Sequence, residues 1–248
     1  MSINIVIPMA GHGSRFSKAG YAKPKPFIEF MGKPMISHVL ENLKMPGVRF
    51  ILIMRQEHID GMAAEVAALT AQYPCEIVSI DQVTEGAACT VLFGRKFFDN
   101  DTPLLIANSD QIVDIAMSDF VNDAQARQLD GSILCFEADH PKWSYARLDA
   151  NNMVTEVKEK EVISSHATVG IYYFAHGRDF VGHTLDMMIR NDRVNNEFYV
   201  CPVYNYAIRE GEKVGIYTID SQKMHGIGTP EDLTEYLKLM SPSEAINS

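Results

Sequence analysis

The run INIVIPM at residues 3–9 is β-branched and apolar enough to form a strand buried on both faces. Ala10-Gly11-His12-Gly13-Ser14-Arg15 follows at once, so the backbone can turn sharply there and lie close to a bound group. Arg15 closes the loop with a fork-shaped cation suited to phosphate oxygens. Lys25 stands in Pro24-Lys25-Pro26, where fixed φ angles leave the chain few ways to move. A strand edge, a glycine loop and two placed cations make a cradle for a triphosphate, with Ala10, Gly11, Gly13 and Ser14 as its backbone wall. A pair of glycines alone would be a tight turn, and Lys25 alone a solvated lysine. The combination carries the reading. Lys18, Lys23 and Lys33 are read as surface lysines.

Pro34, at a first helical position, opens a helix on Met35, Ile36, Val39, Leu40 and Leu43. Pro46-Gly47 stops it, and 48–54 reads as a second buried strand. Ile59, Met62, Ala63, Val66 and Leu69 make one amphipathic helix, 77–80 a strand, Gly86 onward to Phe97 a helical run, and 103–107 a further strand. This alternation predicts an α/β fold: a Rossmann-like, mixed, mostly parallel central sheet flanked by helices. Beyond it, 133–136, 145–148, 154–157 and 168–174 read as strands with few helices between, adding antiparallel strands and a second substrate's pocket. Asn151-Asn152 supplies a hairpin turn, 214–219 is a strand, and Thr229-Pro230-Glu231-Asp232 starts a last helix to Met240. No linker or repeat divides residues 1–240, which are expected to be one domain with a loose tail at 241–248.

A formal net charge of −10 argues against non-specific binding to nucleic acid or anionic membrane, though a small polyanion with a divalent cation remains compatible. The four cysteines are scattered without a C-x-x-C pair, so neither a disulfide frame nor a zinc site is expected. The chain opens directly into a strand and has no apolar run long enough to span a bilayer, so a cytoplasmic setting is the expectation.

Asp110 follows the apolar strand Leu104-Leu105-Ile106-Ala107 and is placed to hold a divalent cation, the alternative being a helix cap. Gln82 lies just past a strand, ahead of Gly86-Ala87-Ala88. An amide can pair with a base edge and small residues leave room for the ring, although a loop glutamine is usually only solvated. Glu159, Lys160 and Glu197 offer carboxylates for sugar hydroxyls and an ammonium for a phosphate, against the reading of 158–161 as a solvated charge run.

In this order these residues resemble the sugar-phosphate nucleotidylyltransferases, or nucleoside-diphosphate-sugar pyrophosphorylases. The shared blocks are Gly-x-Gly-Ser-Arg, Pro-Lys-Pro, Gly-Lys-Pro-Met-Ile, a Gln before a Gly-Ala pair, an Asp after a strand, Glu-Lys and Gly-Thr-Pro-Glu-Asp, over residues 3–235. The resemblance implies one nucleotide-diphospho-sugar transferase domain and Mg²⁺ dependence. It implies Arg15 and Lys25 as catalytic cations, Gln82 and Gly86 at the base, and Asp110 on the metal. Glu159, Lys160 and Glu197 would then stand near the sugar phosphate. The implied partners are a nucleoside triphosphate, with Gln82 and Gly86 leaning toward a pyrimidine, and a sugar phosphate; a homo-oligomer is left open. One departure stands out. The family usually has a second metal-binding Asp before Ile-Gly-Thr, and here Gly226 takes that place, leaving water and substrate oxygens, His225 or Asp220 as replacements. Two other classes stay open: a glycosyltransferase using a nucleotide sugar, although Asn108-Ser109-Asp110 lacks an Asp-x-Asp, and a non-catalytic nucleotide-binding regulator.

Overall fold

Burial on both faces organises the first half. The computed structural model describes residues 2–240, so the expected tail at 241–248 lies outside the described residues. β1 (Ile3–Pro8) sends Ile3, Ile5 and Ile7 into one apolar layer and Val6 into the other. The chain continues through α1 (Ser14–Lys18), the short hairpin of β2 (Glu29–Phe30) and β3 (Lys33–Pro34), and α2 (Met35–Leu43). β4 (Val48–Arg55), α3 (Gln56–Gly61), α4 (Ala63–Gln72), β5 (Cys75–Ile80), α5 (Ala87–Leu92) and β6 (Leu104–Ala107) complete this half. Phe50, Leu52 and Met54 join one layer and Ile51 and Ile53 the other, because successive side chains of a strand point to opposite faces.

The second half runs β7 (Gln111–Val113), α6 (Met117–Ala126), β8 (Gly131–Glu137), β9 (Ser144–Leu148), β10 (Val154–Glu159) and β11 (His166–Phe174). It ends with α7 (Gly177–Ile189), α8 (Tyr204–Arg209), β12 (Val214–Ile219), β13 (Met224–Gly226) and α9 (Pro230–Met240). The main path of the sheet is β10-β9-β11-β6-β1-β4-β5, with β8 paired to β11 and β12. β1 is parallel to both β4 and β6, whereas β11 is antiparallel to β6. The expected α/β class with added antiparallel strands therefore holds. From β1 the chain builds outward through β4 and β5, then returns to β1's other side with β6. The strand order thus reverses between β1 and β6, and the crevice beyond their carboxyl ends is where such sheets bind ligands.

Several local expectations change. Pro34 is extended (ψ 147°) and pairs with Glu29, so α2 begins one residue later. The helix expected through Ile59 and Leu69 is two, broken at Met62 (ψ 34°). Gly86 stands before α5 in an extended, positive-φ conformation, and α5 stops at Leu92. α7, thirteen residues long, was not expected among the later strands. Its two glycines, Gly177 and Gly182, weaken the helical signal that Phe180, Val181, Thr184 and Met187 carry through burial.

No described helix is long and apolar enough to cross a membrane. The cysteines are free thiols, three of them buried.

His183 of α7 bonds Glu212 at 2.7 Å, tying the helix to the turn before β12. Burial pulls the imidazole's pKa down, but the Glu212 carboxylate, with Asp179 and Asp186 adding to it, outweighs burial and the value is raised. A histidine raised by folding stabilises fully below its unfolded pKa of about 6.5 and loses that contribution as pH rises through the folded value. The gap in melting temperature between wild type and Glu212→Gln is therefore expected to be widest in mild acid and to shrink toward alkaline pH. A gap independent of pH would remove the charge from this contact.

Candidate active site

The loop after β1 and the segment after β6 meet in the crevice between those strands. Of the loop glycines, only Gly13 has a left-handed backbone (φ +59°). A Cβ there would stand 3.0 Å from the Lys25 Cβ, so its bare Cα lets the Pro-Lys-Pro segment close on the loop. Gly11 has open space around it instead. No backbone hydrogen bond among the described residues engages the N–H groups of residues 11–14, which leaves them available to an anion. Arg15 is exposed on α1 without an ion pair among the described residues.

Lys25 and Asp110, eighty-five positions apart, are in direct contact through Nζ and Oδ2 with side chains 19% and 20% exposed. Asp110 also accepts the Ile227 N–H through its backbone oxygen at 2.9 Å. Gly228 gives the carboxylate room: a Cβ there would lie 2.6 Å from Asp110 Oδ2. The two side chains named as replacements for a second carboxylate are engaged elsewhere. His225 bonds Asp114 at 2.7 Å, and Asp220 accepts from the Gln222 N–H at 2.8 Å. Asp232 lies nearest to the vacancy at Gly226, its Cγ 3.9 Å from where a Cβ would stand. The described residues hold no group of three or more His, Cys, Asp or Glu suited to a metal.

Two cavities flank this centre. One, of about 250 Å³, is lined by Ala10, Gly11, Val83, Gly86, Thr90 and Glu197 among others. Gln82 is exposed beside it and does not line it. Gly86 (φ +132°) has a reason that sequence reading missed: a Cβ would fall 2.4 Å from the Phe198 carbonyl oxygen. Its bareness serves the approach of the chain's own backbone. The Thr84 hydroxyl donates to the Gly86 carbonyl at 2.8 Å, and Phe198 N–H donates to the Glu85 carbonyl at 2.8 Å. Arg193 closes the junction, 2.9 Å from the Glu85 carboxylate and 4.1 Å above the Phe198 ring.

The second cavity, also about 250 Å³, includes Asn108, Gln111, Trp143, Ser144, Glu159 and Tyr199 in its lining. Burial pushes the Glu159 carboxyl above the usual carboxylate range, while the donating Ser144 hydroxyl and Lys160 pull it back. Lys160 donates to the Tyr199 hydroxyl at 2.7 Å. Burial lowers the pKa of that ammonium, but Tyr199, Glu159 and Glu197 together raise it further. Glu197 lines the first cavity, and its charge raises the pKa of both Glu159 and Lys160. Sequence reading missed Asn108, Gln111, Ser144, Arg193 and Tyr199. Gln111 adjoins Asp110, but nothing in a lone glutamine separates a pocket wall from a solvated loop.

A nucleotidyl transferase family model matches residues 5–236. The mannose-1-phosphate guanylyltransferase catalytic subunit beta of Danio rerio is 25% identical over 177 residues, covering 68% of this chain and 49% of that one. The mannose-1-phosphate guanyltransferase of Candida albicans is 25% identical over 175 residues, covering 67% and 48%. The chain thus spans about half the length of these curated relatives. A nucleoside-diphosphate-sugar pyrophosphorylase from Vibrio cholerae superposes with a TM-score of 0.83 at 26% identity, over 94% of this chain and 99% of that one. A putative glucose-1-phosphate thymidylyltransferase from Bacillus anthracis shares the fold, with a TM-score of 0.76 at 20% identity over 96% and 95%. With that match running along nearly the whole chain, the protein belongs to the nucleotidyl transferase family.

Proposed function

We propose that the chain couples a nucleoside triphosphate to a sugar 1-phosphate or similar phosphomonoester, releasing pyrophosphate and giving a nucleoside-diphosphate sugar. The observation that carries this is the meeting of unbonded loop N–H groups, Arg15 and the Lys25–Asp110 contact at the sheet's reversal point, between two cavities. The acceptor's phosphate oxygen attacks the α-phosphorus, and the bond to the β-phosphate oxygen breaks and leaves its electron pair on pyrophosphate. A phosphomonoester has a second pKa near ~6, so the attacking oxygen is already ionised at neutral pH and no general base is needed. The obstacle is repulsion between two anions. The N–H groups of residues 11–14 receive the β- and γ-phosphates, Arg15 the charge on the leaving group, and Lys25 the charge gathering at the α-phosphate. Glu159, Lys160 and Glu197 hold the acceptor, and alignment of the bound pair supplies the rest of the rate.

Asp110 suits Mg²⁺: a carboxylate at the phosphate site with room kept by Gly228, and Mg²⁺ commonly takes one or two carboxylates with substrate phosphates and waters. Bound there, the ion would neutralise phosphate charge.

The test is pyrophosphate release from ATP, GTP, CTP, UTP and dTTP against a panel of sugar 1-phosphates, with and without Mg²⁺. Turnover is expected with at least one pair, in the presence of Mg²⁺. The pyrimidine preference in this reading rests on Gln82 and Gly86, so CTP, UTP or dTTP is expected to exceed GTP and ATP, and a purine preference would withdraw it. Release of free nucleoside diphosphate from a nucleotide sugar would instead identify a glycosyltransferase. Tight nucleotide binding without turnover would identify a regulator.

A further inference from the structure

We infer that the acceptor is a phosphomonoester whose far end carries an ammonium group, and that this cation seats in an aromatic cavity beside Trp143. The inference rests on the reaction proposed above and names the class of its second substrate. A third cavity, of about 240 Å³, is lined by Phe136, Trp143, His225, Gly226, Asp232 and Tyr236 among others. Trp143 and Lys142 border both this cavity and the one that holds Glu159, so a single residue pair separates the two. The Lys160 N–H donates to the Trp143 carbonyl at 3.1 Å. A ligand phosphate held by Lys160 is therefore one residue contact away from the wall of the third cavity.

The aromatic walls suit a cation, because the negative π-face of an indole or phenol attracts an ammonium. The Trp143 ring is fixed edge-on to Phe136, with centroids 5.3 Å apart. It already seats a cation of the chain, the Lys142 ammonium, 4.7 Å from its centroid. Tyr236 is buried and stands 5.4 Å from the His225 ring, which closes the opposite side.

Charge points the same way. Asp232 and Glu235 line the cavity, and neither has an ion pair among the described residues, whereas Asp114 is engaged by His225 at 2.7 Å. Gly226 keeps Asp232 open. A Cβ there would stand 3.9 Å from the Asp232 Cγ and 4.0 Å from its Oδ2, so a longer residue would crowd the carboxylate. Two free carboxylates against the single Lys142 leave the cavity net negative, which repels an anion. A neutral end group would gain nothing from either charge. An ammonium gains from both carboxylates and from the rings.

Trp143 is the chain's only tryptophan, so its fluorescence reports on this cavity directly. Wild type and Asp232→Asn are titrated with choline and with 3,3-dimethylbutan-1-ol, its uncharged isostere, at constant ionic strength. Choline is expected to change the emission saturably, and the alcohol to bind about 10-fold more weakly. Asp232→Asn should weaken choline several-fold and leave the alcohol unchanged. Pyrophosphate release is then compared for phosphocholine, phosphoethanolamine, glucosamine 1-phosphate and glucose 1-phosphate, with each of the five triphosphates. The best cationic acceptor is expected to exceed glucose 1-phosphate by about 10-fold in kcat/KM, and Asp232→Asn to erase that margin. Equal responses to choline and the alcohol, or a choline response untouched in Asp232→Asn, would overturn the cation site while leaving the reaction standing. Faster turnover of glucose 1-phosphate than of every cationic acceptor would overturn the substrate class. Saturable choline binding with no pyrophosphate from any acceptor would overturn the proposed reaction instead, and the acceptor assignment with it.

Discussion

Lys25→Ala is expected to lower turnover about 100-fold, the equivalent of roughly 3 kcal/mol for one preorganised charge at the reacting phosphate. Arg15→Ala should lose a similar factor. The two should differ in stability, which separates chemistry from scaffolding. Arg15 is exposed and has no ion pair among the described residues, so its removal leaves the melting temperature unchanged. Lys25 touches Asp110, and both side chains are about four-fifths buried, so its removal strands a carboxylate and costs some stability as well. Charge reversal of Lys18, exposed on the same helix, serves as the control and is expected to change turnover little. The measurement is pyrophosphate release at saturating substrates beside a thermal melt for each variant. Near-wild-type turnover by Lys25→Ala would take that residue out of the chemistry.

The second large effect belongs to Gly86→Ala. The added methyl would lie 2.4 Å from the Phe198 oxygen and 2.5 Å from its nitrogen, both backbone atoms that cannot swing aside. The conformation itself, φ +132° and ψ 169°, is one that L-residues rarely adopt. Strain and overpacking of about 1–3 kcal/mol each add to a loss of roughly 4 kcal/mol, or about 10 °C in melting temperature for a chain of this size. Glu197 and Tyr199 flank Phe198, so the KM for both substrates is expected to rise. Gly20→Ala separates strain from collision, since that residue has positive φ (+87°) but open space, and it should cost about 1–2 kcal/mol. A Gly86→Ala melt within 2–3 °C of wild type, about 1 kcal/mol, would mean the two loops are not in register through this contact.

Much of the fold was legible because burial on both faces leaves a local signature. The strands at β1, β4 and β6 are apolar runs bounded by glycine, proline or polar residues, and they were placed within a residue or two. The same logic failed for α7, where burial of Phe180 and Met187 overrides two glycines, and for β7 and β13, three residues each, whose pairing depends on strands over a hundred positions apart. At the site, the glycine loop, Lys25 and Asp110 were legible because each follows a strand or stands between prolines. Glu159 and Lys160 stood out by their chemistry, but the alternating charges of 158–161 fit a solvated face equally well, and the family resemblance tipped the reading. Asn108, Gln111, Ser144 and Arg193 were not legible at all, because a polar residue becomes a pocket wall only when distant segments enclose it.

By itself the sequence determined the α/β class, the loop after the first strand and the cations beside it, since strand periodicity, glycine and proline act over a few residues. Tertiary structure alone decided which of the later carboxylates and amides face the two cavities, and that a bare Cα at Gly86 is required by the approach of the Phe198 backbone. Those outcomes depend on contacts between positions 86 and 198, 25 and 110, and 111 and 170, which no local pattern encodes.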